Sequence, residues 1–288
     1  MTQTPPSDHT LTPTELEQIG AANDSGRQPV VFIHGLWLLS SSWDRWRTLF
    51  EDAGYATVAP GWPDDPATVD AARAKPEVFA RKMVGAVTDH YLAAIAKLQR
   101  QPAVVGHSFG GLIAQKVAGE GASAATVAVD PAPGRGILPL PPSALKAGSA
   151  VLGNPANARR SVTLTFDEFR YGWTNALDED EARQLYDEFH VAASGVPIFQ
   201  AAVSNLNPFS ETRVKFKAED RGPLLVISGE KDHTVPHAIA HAAYKKHLKN
   251  PSVTQFVEMP DRGHSLTVDH GWQEVAQTSL DFIGRFVK

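Results

Sequence analysis

Four apolar runs constrain this chain more than anything else in it: Val30-Val31-Phe32-Ile33, Ala56-Thr57-Val58-Ala59, Ala125-Thr126-Val127-Ala128-Val129 and Leu224-Leu225-Val226-Ile227-Ser228. A strand that buries one face alternates apolar and polar residues. A run with almost no polar residue suits a strand covered on both faces, as in a parallel sheet between helical layers. Ala103-Val104-Val105-Gly106 and Val253–Met259 add two more candidate strands. Helical spacing separates them. Trp43, Trp46, Leu49 and Phe50 mark a helix from Ser42 to Ala53, a long helix is expected over Pro76–Leu98, and another closes the chain over Trp272–Val287. Strand alternating with helix predicts an α/β fold with a mostly parallel, doubly wound sheet.

That alternation stops at Pro131. Pro131-Ala132-Pro133-Gly134 and Pro139-Leu140-Pro141-Pro142 can extend neither a helix nor a central strand. Up to Glu219 only helical or irregular segments are expected, with helices over 143–152, 167–176 and 178–190. The chain therefore divides into a core, residues 1–133 and 223–288, and an inserted α-helical cap, residues 134–222. At the start, residues 1–10 read as a polar tail. Thr12-Pro13-Thr14-Glu15 then opens a short helix to about Ala22, with Thr12 as N-cap and proline in the first turn.

Ser108 lies in Gly106-His107-Ser108-Phe109-Gly110, a G-x-S-x-G pentapeptide entered from the strand at 103–106 and left into the apolar, helix-spaced segment 112–118. This pattern puts a serine on a sharp, strained strand-to-helix turn, where glycines two residues to either side relieve crowding. A serine hydroxyl needs a base to become a nucleophile, and the base needs an acid to fix its tautomer. Parallel sheets place such groups just past the C-terminal ends of strands. His264 sits five residues past Met259 and Asp232 four past Ser228, so both are candidates. Asp130 also ends a strand and is the rival acid. Asp232 has a plainer alternative as a turn residue or helix cap. Two backbone amides are candidates for an oxyanion hole: Phe109, after the serine, and Leu36, in the His34-Gly35-Leu36-Trp37 loop after the first strand.

Taken in order, His34-Gly35, Gly106-His107-Ser108-Phe109-Gly110-Gly111, Gly229-Glu230-Lys231-Asp232 and Gly263-His264 resemble the α/β-hydrolase fold superfamily, in its serine esterase and lipase-like branch with a helical cap. The resemblance spans nearly all of residues 29–288. It implies Ser108, His264 and Asp232 as catalytic triad, and an esterase acting on a small or medium apolar carboxylic ester with no cofactor and no metal. Dehalogenase and epoxide-hydrolase relatives carry aspartate where Ser108 stands, which argues against both chemistries. No hairpin is legible before residue 29, so the leading antiparallel strands usual in the family are not expected. The same triad could serve lactone or carbon–carbon bond hydrolysis, perhydrolysis or cofactor-free oxygenation. A ligand receptor with vestigial activity is the reading from another class.

Other features point to plain roles. Trp37, Trp62 and Trp173 are candidates to line the substrate site, while the cap aromatics Phe166, Phe169, Tyr171, Trp173, Phe199 and Phe209 suit a small core of the cap's own. His34 and His107 suit packing. His233, His237 and His241 are spaced by four, but Pro236 interrupts any shared helix and no ligand completes a metal set. The net charge is −5 and no basic stripe runs along the sequence, so neither nucleic acid nor an anionic membrane is an expected partner. A chain without cysteine has no disulfides or thiolate chemistry. With no signal peptide in Met1–Asp8 and no apolar run of about 20 residues, a cytoplasmic location is expected. The oligomeric state stays open, a homodimer being one arrangement.

Overall fold

The computed structural model describes residues 11–287, so the polar tail and the Met1–Asp8 reading lie outside the described residues. Helix α1 (Pro13–Ser25) opens the described chain, capped by Thr12 and Glu15 in a reciprocal capping box and closed by Gly26 at φ 64°. Strand β1 (Pro29–Ile33) follows, then a 3₁₀ turn (Ser40–Trp43), α2 (Asp44–Asp52) and β2 (Ala56–Val58). Next come α3 (Val69–Ala74), α4 (Val84–Ile95), β3 (Ala103–His107), α5 (Phe109–Gly119) and β4 (Ala125–Val129).

Between β4 and its neighbour in the sheet lie α6 (Pro142–Leu152), β5 (Ser161–Val162), α7 (Phe166–Gly172), α8 (Glu179–Phe189), β6 (Ala193–Ser194) and α9 (Val196–Ala202). The core resumes with β7 (Leu224–Gly229), α10 (His237–His247), β8 (Thr254–Met259) and α11 (Trp272–Ile283).

The sheet has six strands in the order β2-β1-β3-β4-β7-β8, and every pairing is parallel. No antiparallel strand leads into it among the described residues; α1 packs beside β2 instead. The apolar runs make sense because side chains alternate across the sheet. Val30 and Phe32 face a cluster with Trp43, Trp46 and Phe50 of the α2 region and Val275 and Phe282 of α11. Val31 and Ile33 face the opposite cluster with Ile19, Val87, Tyr91, Leu112 and Val117 from α1, α4 and α5.

Three expectations need correction. The long helix over 76–98 is a 3₁₀ turn at Pro76–Phe79 followed by the shorter α4. The break has a physical cause: Arg81 adopts φ 63° and Lys82 turns inward, its ammonium meeting the buried Asp65 carboxylate. The segment after β4 is not wholly helical or irregular, since β5 and β6 pair antiparallel. Nor do the cap aromatics form a core of their own. Phe169 and Trp173 join the same cluster as Leu36, Phe109 and Leu112, whereas Phe209 is 89% exposed.

Candidate active site

Everything begins at the end of β3. Ser108 has φ 56° and ψ −121°, a conformation that L-residues adopt only under constraint. Its amide donates to the Val129 carbonyl at 2.9 Å, and its carbonyl accepts from Ala132 and Leu112 at 2.9 and 3.1 Å. These bonds hold the turn against β4 and the start of α5. Close approach explains the glycines: a Cβ on Gly106 would overlap the Gly110 carbonyl oxygen, and one on Gly110 would overlap that of Ile33.

His264 Nε2 lies 3.0 Å from Ser108 Oγ, and its Nδ1 lies 2.6 Å from Asp232 Oδ2. All three residues are buried. Asp232 is fixed from the other side, where Oδ1 accepts the Thr234 and Val235 amides at 2.6 and 2.8 Å just before α10. The turn role and the acid position coincide in one side chain. Asp130 lies near the histidine but makes no hydrogen bond to it. It sits at φ 40° with Oδ1 accepting the Gly229 amide at 2.8 Å, and burial and the neighbouring Asp232 charge push its carboxyl well above the usual carboxylate range.

Two aromatic rings hold the imidazole. His107 donates from Nε2 to the His264 carbonyl at 3.0 Å, with the two rings 4.7 Å apart. Burial drives the His107 pKa well below its ordinary value, leaving it neutral. Trp173, from the segment between β4 and β7, stands edge-on to His264 at 4.7 Å and accepts the Ser265 amide on its carbonyl at 3.1 Å. Below this loop Asp269 receives Arg262 in a buried ion pair and the Ser265 hydroxyl at 3.1 Å. Sequence reasoning missed this brace, because nothing in the 262–269 segment distinguishes a buried ion pair from two solvated charges.

The loop after β1 passes beside the serine, since a Cβ on Gly35 would stand 2.8 Å from Ser108 Cβ. Among the described residues neither the Leu36 nor the Phe109 amide has a hydrogen-bond acceptor. The next residue, Trp37, adopts φ 62° and is pinned by its indole, which donates to the Val162 carbonyl at 3.0 Å, and by its carbonyl, which accepts the Val191 amide at 3.1 Å. Trp62 is placed differently from the expectation. It lies behind this loop, donating to the His34 carbonyl at 3.1 Å and stacking on the His34 ring at 5.8 Å, and does not line the space over Ser108. His34 Nε2 is 3.1 Å from Asp65, whose carboxyl it and Lys82 hold below the usual range despite burial.

A cavity of about 200 Å³ opens over Ser108 and is mostly apolar, with Trp37, Trp173, Ile137, Leu164 and Ile239 among its walls. Glu168, Ser204, Asn205 and Thr234 are its few other polar groups. Among the described residues the one cluster with metal-ligand spacing is His107, Asp130 and His264, and both His264 nitrogens are already engaged within the site. His233 and His237 part company: the first contacts the Tyr171 carbonyl, the second pairs with Glu258 at 3.0 Å.

The chain belongs to the alpha/beta hydrolase family, whose pattern matches residues 30–278. Among solved structures, a monoacylglycerol lipase from Paleococcus ferrophilus is similar at 20% identity and TM-score 0.63, over 90% of this chain and 94% of that one. A putative non-heme bromoperoxidase from Mycobacterium tuberculosis H37Rv is 17% identical over 91% and 93% of the two chains, TM-score 0.62. A methylesterase from Arabidopsis is 15% identical over 90% and 99%, TM-score 0.60. At such identities the likeness is one of fold. No curated protein matches the chain in sequence. Among the described residues no helix is long and apolar enough to cross a membrane.

Proposed function

We propose that the protein is a serine hydrolase that cleaves a carboxylic ester of a small or medium apolar substrate. The observation that carries this reading is the continuous chain from Ser108 Oγ to His264 to Asp232, at 3.0 and 2.6 Å, on the floor of an apolar cavity. Ser108 Oγ attacks the ester carbonyl as His264 Nε2 takes its proton. Asp232 holds the imidazole with Nδ1 protonated and stabilises the imidazolium. The oxyanion is received by the Leu36 and Phe109 amides, each such donor being worth roughly 3–4 kcal/mol. The imidazolium then protonates the departing alcohol, leaving an acyl-serine. Water, deprotonated by the same histidine, releases the acid and restores the hydroxyl. Trp37, Trp173 and the aliphatic walls favour an apolar acyl or alcohol group, and the few polar side chains around them leave little to hold a charged one.

With p-nitrophenyl butyrate the expected result is a burst of nitrophenolate stoichiometric with enzyme, or steady turnover where deacylation is fast. Ser108→Ala should remove both, leaving a residual about 10³- to 10⁴-fold above the water reaction at most. Undiminished turnover in a folded Ser108→Ala protein would overturn the proposal.

A further inference from the structure

Behind one wall of the catalytic cavity lies a second, more open groove of about 480 Å³. Of the ten described residues that line it, six are basic, Arg135, Arg213, Lys215, Lys217, Lys246 and Lys249, and none is acidic. The whole chain carries −5, so this concentration of cations runs against the sign of the molecule. Three segments build it. Arg135 donates its amide to the Thr212 carbonyl at 3.1 Å, which sets residues 135 and 213 side by side. From Arg213 burial alternates: Val214 and Phe216 turn toward the protein while Arg213, Lys215 and Lys217 face out. Lys246 and Lys249 come from the end of α10, and the Lys246 ammonium reaches within 3.6 Å of where Gly136 would carry a Cβ.

Lys215 is ion-paired with Glu120. Among the described residues the other five cations have no carboxylate partner. Arg135 adds a second observation, because its Nε is buried without an acceptor. Converging like charges and an unmatched guanidinium N–H lack the same thing, an anionic oxygen. Arginine forks and lysine point charges together suit phosphate. Among the described residues Phe216 is the one aromatic lining the groove, and it packs inward against the cluster of Ile137, Val235, Ile239 and Ala243, which leaves no platform for stacked bases.

We propose that this groove binds a phosphate-bearing ligand carrying two or more negative charges. It adjoins the catalytic cavity through one turn. Arg135 and Gly136 line the groove while Ile137 and Leu138 line the cavity. Asn205 fastens the turn, accepting the Gly136 amide at 2.7 Å and donating to the Ile137 carbonyl at 2.8 Å.

Calorimetric titration of the whole protein with inorganic tripolyphosphate tests the site without reference to Ser108. Saturable binding is expected, weakening at least about tenfold between roughly 20 and 200 mM NaCl. The Arg213→Glu, Lys246→Glu double variant should weaken it at least tenfold and Arg213→Gln by less. Lys97→Glu, outside the groove, should leave it unchanged, as should Ser108→Ala. Sedimentation with phosphatidylcholine vesicles, with and without phosphatidic acid, separates the sources. Groove-dependent binding to acidic vesicles alone identifies a lipid headgroup, and tripolyphosphate binding alone a soluble phosphate. Absence of both, or affinity that survives charge reversal in a protein with unchanged thermal melting, overturns the proposal.

Discussion

At the scale of single residues, backbone space decides more than side-chain chemistry. Gly106 and Gly110 face main-chain carbonyls that cannot move without displacing β1 or α5, so no rotamer change relieves an added methyl. Gly106→Ala should therefore cost at least about 3 kcal/mol in urea unfolding, beyond an ordinary substitution. The two acids separate just as sharply. Asp232→Asn keeps the turn's shape yet offers the imidazole the wrong partner, and kcat should fall about 10³- to 10⁴-fold. Asp130→Asn still presents an oxygen to the Gly229 amide, and since burial already favours the neutral carboxyl, its loss should stay below about tenfold. Steady-state kinetics of both variants with one nitrophenyl ester decides this, and a larger loss at Asp130 would reverse the assignment. Ser108 was legible from its pentapeptide, and His264 and the two candidate acids from strand ends. Choosing between the acids was not, because that depends on which carboxylate oxygen reaches Nδ1 across the sheet.

At the scale of elements, the loop that carries His264 hangs from three supports: the Trp173 carbonyl, the His107 ring and the Arg262–Asp269 pair. Asp269→Ala would strand a buried guanidinium, at a cost of about 3–5 kcal/mol. It should also lower kcat more than it raises KM, because the histidine loses its setting while the cavity walls remain. Asp269→Asn keeps the Ser265 bond and should retain more of kcat; equal losses in the two variants would argue against a positioning role. Buried strands were legible because an unbroken apolar run has few other uses. Helix boundaries between 69 and 98 were not. There Lys82 and Asp65 meet inside the protein, and a long-range ion pair leaves no periodic trace in the sequence. The same blindness hid the β5–β6 pair, whose two residues per strand carry no alternation to detect.

At the scale of the whole molecule, charges scattered in sequence become patterns only after folding, as residues 135, 213–217 and 246–249 do in the basic groove. Buried histidines follow the same rule. His190, packed on Tyr186 and Phe169, and His247, against Phe216 with Nε2 3.0 Å from Gln115 Oε1, are each lowered by burial, and then by a nearby arginine, to about 3. Both folded values lie below the unfolded value of 6.5, so between pH 6.5 and 3 the unfolded chain binds protons that the folded one refuses. Stability is then fully present above pH 6.5 and is lost as pH falls toward 3. Each histidine should remove about 2 kcal/mol between pH 7.5 and 5.0. Asp130 acts in the opposite sense, because a raised folded pKa makes the native state bind the extra proton above its unfolded value. The wild-type slope alone therefore mixes signs. His247→Gln isolates one contributor: glutamine can still donate to Gln115 but cannot charge. Urea unfolding at the two pH values should show the variant losing about 2 kcal/mol less than wild type. An equal loss in both proteins would mean that His247 takes up its proton in the folded state, and that the packing around it opens in acid before the chain unfolds.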